Sequence, residues 1–185
     1  MKKLMIALAI VAMAAITQAA SFDWKTAKSG GAVNAYEGGS IVASTVYLFT
    51  SDKAADIVTA FAVGNDWTSG SLDSSSISTA GKIAAKSTTF DYGGAGVAAT
   101  INAIFAFTEN VGGQDYLYVS TVATANGPAT GAESISFKEG GVSTALKDAA
   151  GGYTSAGWYT AVPEPTSGLL MLLGMAGLAL RRRRA

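Results

Sequence analysis

Val97 to Thr108 reads VAATINAIFAFT, a run of valine, isoleucine, threonine and phenylalanine, the residue types that suit a pleated, packed surface. Successive side chains of a strand point to opposite faces. Yet in Ala99-Thr100-Ile101-Asn102-Ala103-Ile104-Phe105 apolar groups stand at both parities. A strand of that kind is covered on both sides, so this segment is expected at the centre of the core. Ile41 to Thr50 (IVASTVYLFT) and Tyr116 to Thr124 (YLYVSTVAT) are the next best strands. Shorter ones are expected at Ala32 to Tyr36, Ile83 to Phe90, Ser134 to Lys138 and Gly157 to Val162.

Six Gly-Gly pairs, at 30-31, 38-39, 93-94, 112-113, 140-141 and 151-152, punctuate these runs without a fixed period. Glycine tolerates positive φ, so the pairs mark turns between strands, and the uneven spacing excludes a solenoid or propeller repeat. Gly93-Gly94-Ala95-Gly96 lacks the lysine and hydroxyl residue of a phosphate loop and precedes a strand, so it reads as a turn. Ser71 to Thr79 (SLDSSSIST) is polar enough to read as an exposed loop. Ser51 to Val63 differs: Ser51 can cap a helix, Asp52 sits in its first turn, and Ile57, Val58 and Phe61 share a face. A second short helix is suggested at Ser143 to Ala149 (STALKDA). The expected fold is mainly β: a single antiparallel β-sandwich-like domain with one short helix, flanked by an N-terminal signal peptide and a C-terminal transmembrane helix.

Composition excludes several function classes. The chain has no cysteine, hence no disulfide, thiolate ligand or thiol nucleophile. It has no histidine either, which removes the Ser-His-Asp hydrolases and the commonest metal ligand. Between Ser21 and Val162 stand seven lysines and no arginine against twelve acidic residues, a net charge of minus five. An acidic domain repels phosphate backbones, so no nucleic acid is expected as partner.

The two ends are not part of a core. Lys2 and Lys3 precede an uncharged apolar run from Leu4 to Ile16, and small residues follow in Thr17-Gln18-Ala19-Ala20. That is the three-part signal-peptide pattern, with cleavage by signal peptidase expected after Ala19. Thirteen residues rise only about 20 Å as a helix, short of the roughly 30 Å hydrocarbon core, so the run is not an anchor helix. The other end reads Val162-Pro163-Glu164-Pro165-Thr166, then an uncharged stretch from Ser167 to Leu180, then Arg181, Arg182, Arg183 and Arg184. Each proline fixes a backbone angle, removes an amide donor and pushes its predecessor toward extended geometry. The fourteen residues of the uncharged stretch would also span only about 21 Å as a helix, but the arginines can snorkel, extending its effective length a little and holding the end on the cytoplasmic side. The domains expected are therefore 1-19, a signal peptide; 20-161, an exported β-rich domain; and 162-185, a sorting tail with an apolar helix over 167-180.

The order of Val-Pro-Glu-Pro-Thr, a short apolar helix and a terminal arginine cluster resembles the PEP-CTERM sorting signal of exported bacterial proteins. The middle domain also loosely resembles the small β-rich domains that carry this signal. The resemblance implies processing by an exosortase, with Pro163, Glu164 and Pro165 as the recognition residues. It also implies a precursor held in the inner membrane by its C-terminal helix, then a product at the cell surface or outside. The bacteria concerned typically make exopolysaccharide, which names a further partner.

For the domain itself three functions stand open, of which the third, an exported hydrolase, would require two acidic side chains converging in a cleft and lacks any nucleophile motif or histidine. One is a non-enzymatic surface or matrix protein, with no catalytic, cofactor-binding or metal-ligating residue. The alternative is a carbohydrate-binding module delivered to exopolysaccharide by the same route, with Trp24, Trp67, Trp158 and Tyr159 as stacking residues. Aromatic residues of a small β-domain are more often packing than ligand shelves. The alternative therefore requires these four in an exposed coplanar row. Tyr116 and Tyr118 share a strand parity and so a face. Asp52, Asp56, Asp66, Asp73, Asp91 and Asp115 match no calcium loop and read as solvated surface charge.

Overall fold

In the computed structural model, the described residues are 19–27, 31–36, 41, 44–91, 100–126, 133–139 and 145–161. The central segment forms β5 (Thr100–Val111), and its two parities face two different cores. Ile101, Ala103, Phe105 and Phe107 join one apolar cluster, while Ile104 and Ala106 join the other. β5 is hydrogen-bonded to β2 (Ser44–Thr50), β6 (Gln114–Val119) and β7 (Ala123–Asn126). Beyond β2 lies β3 (Asp73–Ile77), and beyond β6 lie β10 (Gly157–Thr160) and β9 (Leu146–Asp148), giving a seven-stranded sheet. A second sheet of three strands places β1 (Ala19–Thr26) between β4 (Lys86–Asp91) and β8 (Glu133–Phe137). Two pairings are parallel, β1 with β8 and β9 with β10; the others are antiparallel.

The chain therefore stacks in three layers. Phe22 and Trp24 of β1 and Ile135 and Phe137 of β8 meet Val46, Leu48, Phe105 and Tyr118 between the sheets. On the other side of the large sheet, α1 (Ala54–Ala62) lays Ile57, Val58 and Phe61 against Phe49, Ile104, Leu117 and Val119. The expected helix is present, entered through a 3-10 turn at Ser51–Lys53, but no side chain caps it: Lys53 holds the N-cap position. Packing of the apolar face on the sheet carries the helix instead.

Four local expectations need correction. Tyr116 to Thr124 is not one strand, because the chain breaks at Ser120 to Val122 and runs as two strands, β6 and β7, along different stretches of β5. Ser71 to Thr79 is not a loop throughout, because Asp73 to Ile77 pairs with Leu48 to Ser44. A polar serine run is tolerated there because β3 is an edge strand, pinned by the buried Ile77 and by the bonds of Asp73, while Ser74 and Ser75 are only half-buried and Ser76 is exposed. Ala32 to Tyr36 forms no strand. Leu146 to Asp148 is a strand and not a helix, held in parallel register by β10, and the turn after it, Ala149–Gly151, is 3-10. Ladder bonds to a neighbour outweigh the weak local helix preference.

A polar link joins the sheets at one edge. Trp24 Nε1 donates to Asp73 Oδ2 at 3.0 Å, and Lys86 Nζ lies 2.6 Å from Asp73 Oδ1. Burial pushes the Asp73 carboxyl up, but hydrogen bonds from Lys86, Trp24 and the Ser74 amide outweigh it and hold the carboxyl below its ordinary value. Its contribution is thus present above pH 3.8 and lost as pH falls through the lower folded value. Asp73→Ala leaves the indole N–H of the buried Trp24 without its acceptor, an expected loss of roughly 1–3 kcal/mol in urea unfolding. Asp73→Asn, which keeps an acceptor oxygen, is expected to lose less.

Candidate functional site

The sorting tail leaves the domain at the end of β10, so that end is the place to build the site. Gly157 to Thr160 pairs antiparallel with Val119 to Tyr116 and parallel with β9, so the strand is flanked on both sides. Its side chains pin it to both cores. Trp158 enters the inner cluster, with ring centroids 5.1 Å from Tyr118 and 5.5 Å from Phe107. Tyr159 faces the helix side, where its hydroxyl accepts from the Thr154 and Ser155 amides at 3.1 and 3.2 Å and donates to the Ser155 carbonyl at 2.5 Å. Lys147 Nζ lies 5.3 Å from the Tyr159 ring centroid, a cation–π contact.

Ala161 follows directly and lines a cleft of about 380 Å³ with Phe61, Asn65, Trp67, Gln114 and Asp115. The cleft lies between the C-terminal end of α1 and the β5–β6 turn. That turn runs through Gly112 and Gly113 at φ +63° and +88°, a conformation that favours glycine. The tail thus starts at a rim where helix end, hairpin tip and last strand converge. Pro163, Glu164, Pro165, the apolar helix expected over 167-180 and Arg181 to Arg184 lie outside the described residues. No helix among the described residues is long and apolar enough to cross a membrane. At the other end, the Ala19 backbone is described as the first residue of β1, paired with Asp91.

Residues 161–184 match the family model for the PEP-CTERM protein-sorting motif. The tail is a PEP-CTERM sorting motif. No curated protein and no solved structure matches the chain. The PEP-CTERM motif marks an exported protein whose precursor passes a membrane and is processed by an exosortase. Its match begins at Ala161, the residue after β10 ends.

The four aromatic candidates do not form an exposed row. Trp24, Trp158 and Tyr159 are 0, 1 and 0 % exposed, because each sits on a strand parity that points into a core. Only Trp67 is half-buried, beyond the end of α1, with its ring edge-to-face on Tyr47 at 5.4 Å and 87°. Tyr116 and Tyr118 do share a face, the inner one; Tyr116 stacks on Tyr36 at 4.3 Å. Among the described residues no group of three potential metal ligands occurs.

One arrangement escaped sequence reasoning. Glu139 is 4 % exposed and accepts from Tyr118 Oη at 2.6 Å, Thr121 Oγ1 at 2.8 Å and the Thr121 amide at 3.2 Å. Burial pushes its carboxyl up, and the bonds from Tyr118 and Thr121 only partly offset that. Burial and the adjacent Glu139 push the Tyr118 phenol up as well, so it stays protonated as a donor. In sequence Glu139 precedes Gly140-Gly141, a turn signal that gives no hint of a buried carboxylate.

Proposed function

We propose that the chain is a non-enzymatic surface or matrix protein, delivered by its PEP-CTERM tail after removal of a signal peptide over residues 1–19 and retained at the cell surface or in the extracellular polymer. The observation that supports this reading is the match of residues 161–184 to the sorting motif, beginning directly after β10. In such a protein Pro163, Glu164 and Pro165 are the recognition residues, and the apolar segment with Arg181 to Arg184 holds the precursor in the inner membrane. Intact mass tests it: protein from its own host should lack the tail beyond the Pro163 to Pro165 region, and protein from a host without exosortase should keep it. A tail present in both hosts would leave a plain anchored protein and sink the reading.

Chain length adds a quantitative expectation. Two residues, Ala161 and Val162, separate Thr160 from Pro163, so even fully extended the Cα of Pro163 lies within about 11 Å of the last ladder residue. An enzyme gripping that segment meets the rim formed by α1 and the β5–β6 turn. Inserting six Gly/Ser residues after Ala161 is therefore expected to speed tail removal in a pulse-chase, and deleting Ala161 and Val162 to slow it sharply. The second reading, a carbohydrate-binding domain delivered by the same route, rests on Trp67 alone, the one candidate ring that solvent reaches.

A further inference from the structure

Trp67 is the wall shared by two clefts. One is the cleft of about 380 Å³ at the tail root; the other, of about 310 Å³, is lined by Lys53, Asp56, Asp66 and Ser69. Both volumes reach the lower end of the range of small-molecule sites, roughly 300–1,000 Å³. The indole is held in place and not free to swing: Tyr47 meets it edge-on, and Phe49 lies 6.5 Å away at 45°. A rigid ring that solvent reaches on the way into two concavities offers a stacking platform at low entropic cost.

The groups around the ring narrow the ligand class. Asn65 and Gln114 supply amides, Thr108 and Ser69 hydroxyls, and Asp66 and Asp115 carboxylates. Among the described residues lining either cleft the only cation is Lys53, and it lies 3.1 Å from Asp56. The Thr68 amide and hydroxyl donate to Asp66 Oδ1 at 3.0 and 2.6 Å and hold its carboxyl below the ordinary value, so it stays charged. An apolar ring flanked by acceptors and amides suits a molecule with a C–H face and many hydroxyl donors. The surplus of negative charge disfavours phosphates, sulfates and uronates.

We propose that Trp67 and the clefts on either side of it bind a neutral glycan segment, with the indole between adjacent sugar units. This extends the second reading above and does not depend on the tail being cut, so a failure of processing and a failure of binding are separate results. The intact protein in a zwitterionic, sugar-free detergent is titrated with cellotetraose, maltotetraose, chitotetraose and trigalacturonate, followed by tryptophan fluorescence and calorimetry. Trp24 and Trp158 are 0 and 1 % exposed, so the emission change reports on Trp67. The expected result is saturable binding of at least one neutral tetramer, with trigalacturonate and the Trp67→Ala variant each at least about tenfold weaker. Asn65→Ala, on an exposed loop that leaves the indole packing intact, is expected to weaken binding several-fold and keeps the test valid if Trp67→Ala misfolds. The proposal is overturned if no neutral tetramer saturates, if trigalacturonate binds equally well, or if Asn65→Ala leaves the affinity unchanged. Binding of a VPEPT peptide in place of every oligosaccharide overturns it too, making the clefts a seat for proline-rich chain.

Discussion

Phe105→Ala is expected to lower the stability of the domain by about 3–5 kcal/mol, the range for removing a buried phenylalanine. Phe105 is fully buried at the middle of β5, where its ring meets Phe137 of the small sheet edge-to-face at 4.9 Å, Tyr118 at 6.0 Å and Phe107 at 6.5 Å. The first of these contacts crosses between the sheets. Flanking strands hydrogen-bond β5 on both edges, so the backbone cannot collapse into the space left behind, and the cavity term adds to the lost transfer energy. A loss of that size is a large share of the roughly 5–15 kcal/mol that holds a typical domain folded. The check is the urea midpoint at unchanged slope. Phe107→Leu, which nearly conserves volume in the same cluster, should lose less than about 1.5 kcal/mol. Equal losses for the two would mean that the space between the sheets is not tightly packed.

The second large effect concerns Glu139. Glu139→Ala strips the acceptor from Tyr118 Oη and from the hydroxyl and amide of Thr121. A buried donor left unmet costs roughly 1–3 kcal/mol, so the total is expected near 3 kcal/mol, with Glu139→Gln much milder because its amide oxygen still accepts. The pH dependence separates the carboxyl from its shape. With the folded value raised above the ordinary 4.5, the folded protein keeps a proton over an interval where the unfolded chain has released it. Stability from this group is therefore complete below 4.5 and lost as pH rises through the folded value. Asp73 runs the other way, since its folded value is lowered. Urea midpoints across mildly acidic pH should fall with rising pH in the parent and flatten in Glu139→Gln. A slope that survives the substitution would assign it to another group.

How far the residues alone reach can be judged element by element. β5 was legible because its apolar groups occupy both parities, and the structure covers both its faces. α1 was legible from Ile57, Val58 and Phe61 on one face, although packing and not a cap holds it. β1 is masked in the sequence by the small-residue end of the signal-peptide pattern that it overlaps, although Phe22 and Trp24 alternate with Ser21, Asp23 and Lys25 in strand period. β3 and β9 had no such signal; a serine run and a Leu-Lys-Asp triplet become strands only because β2 and β10 lie alongside. Of the site, the sorting motif over residues 161–184 was legible, since it is written in linear sequence. The fate of the aromatic residues was not, because Trp67 and Trp158 differ only in which long-range neighbours cover them.

The small sheet has a consequence for the timing of folding. Its middle strand, Ala19–Thr26, is the earliest element among the described residues, while its two neighbours are Lys86–Asp91 and Glu133–Phe137. That segment must wait for most of the polypeptide before it can pair on both edges. Contacts of such sequence separation form slowly, so the space between the two sheets is expected to close late, after the helix and the hairpin of the large sheet, whose partners lie nearer in sequence, have formed.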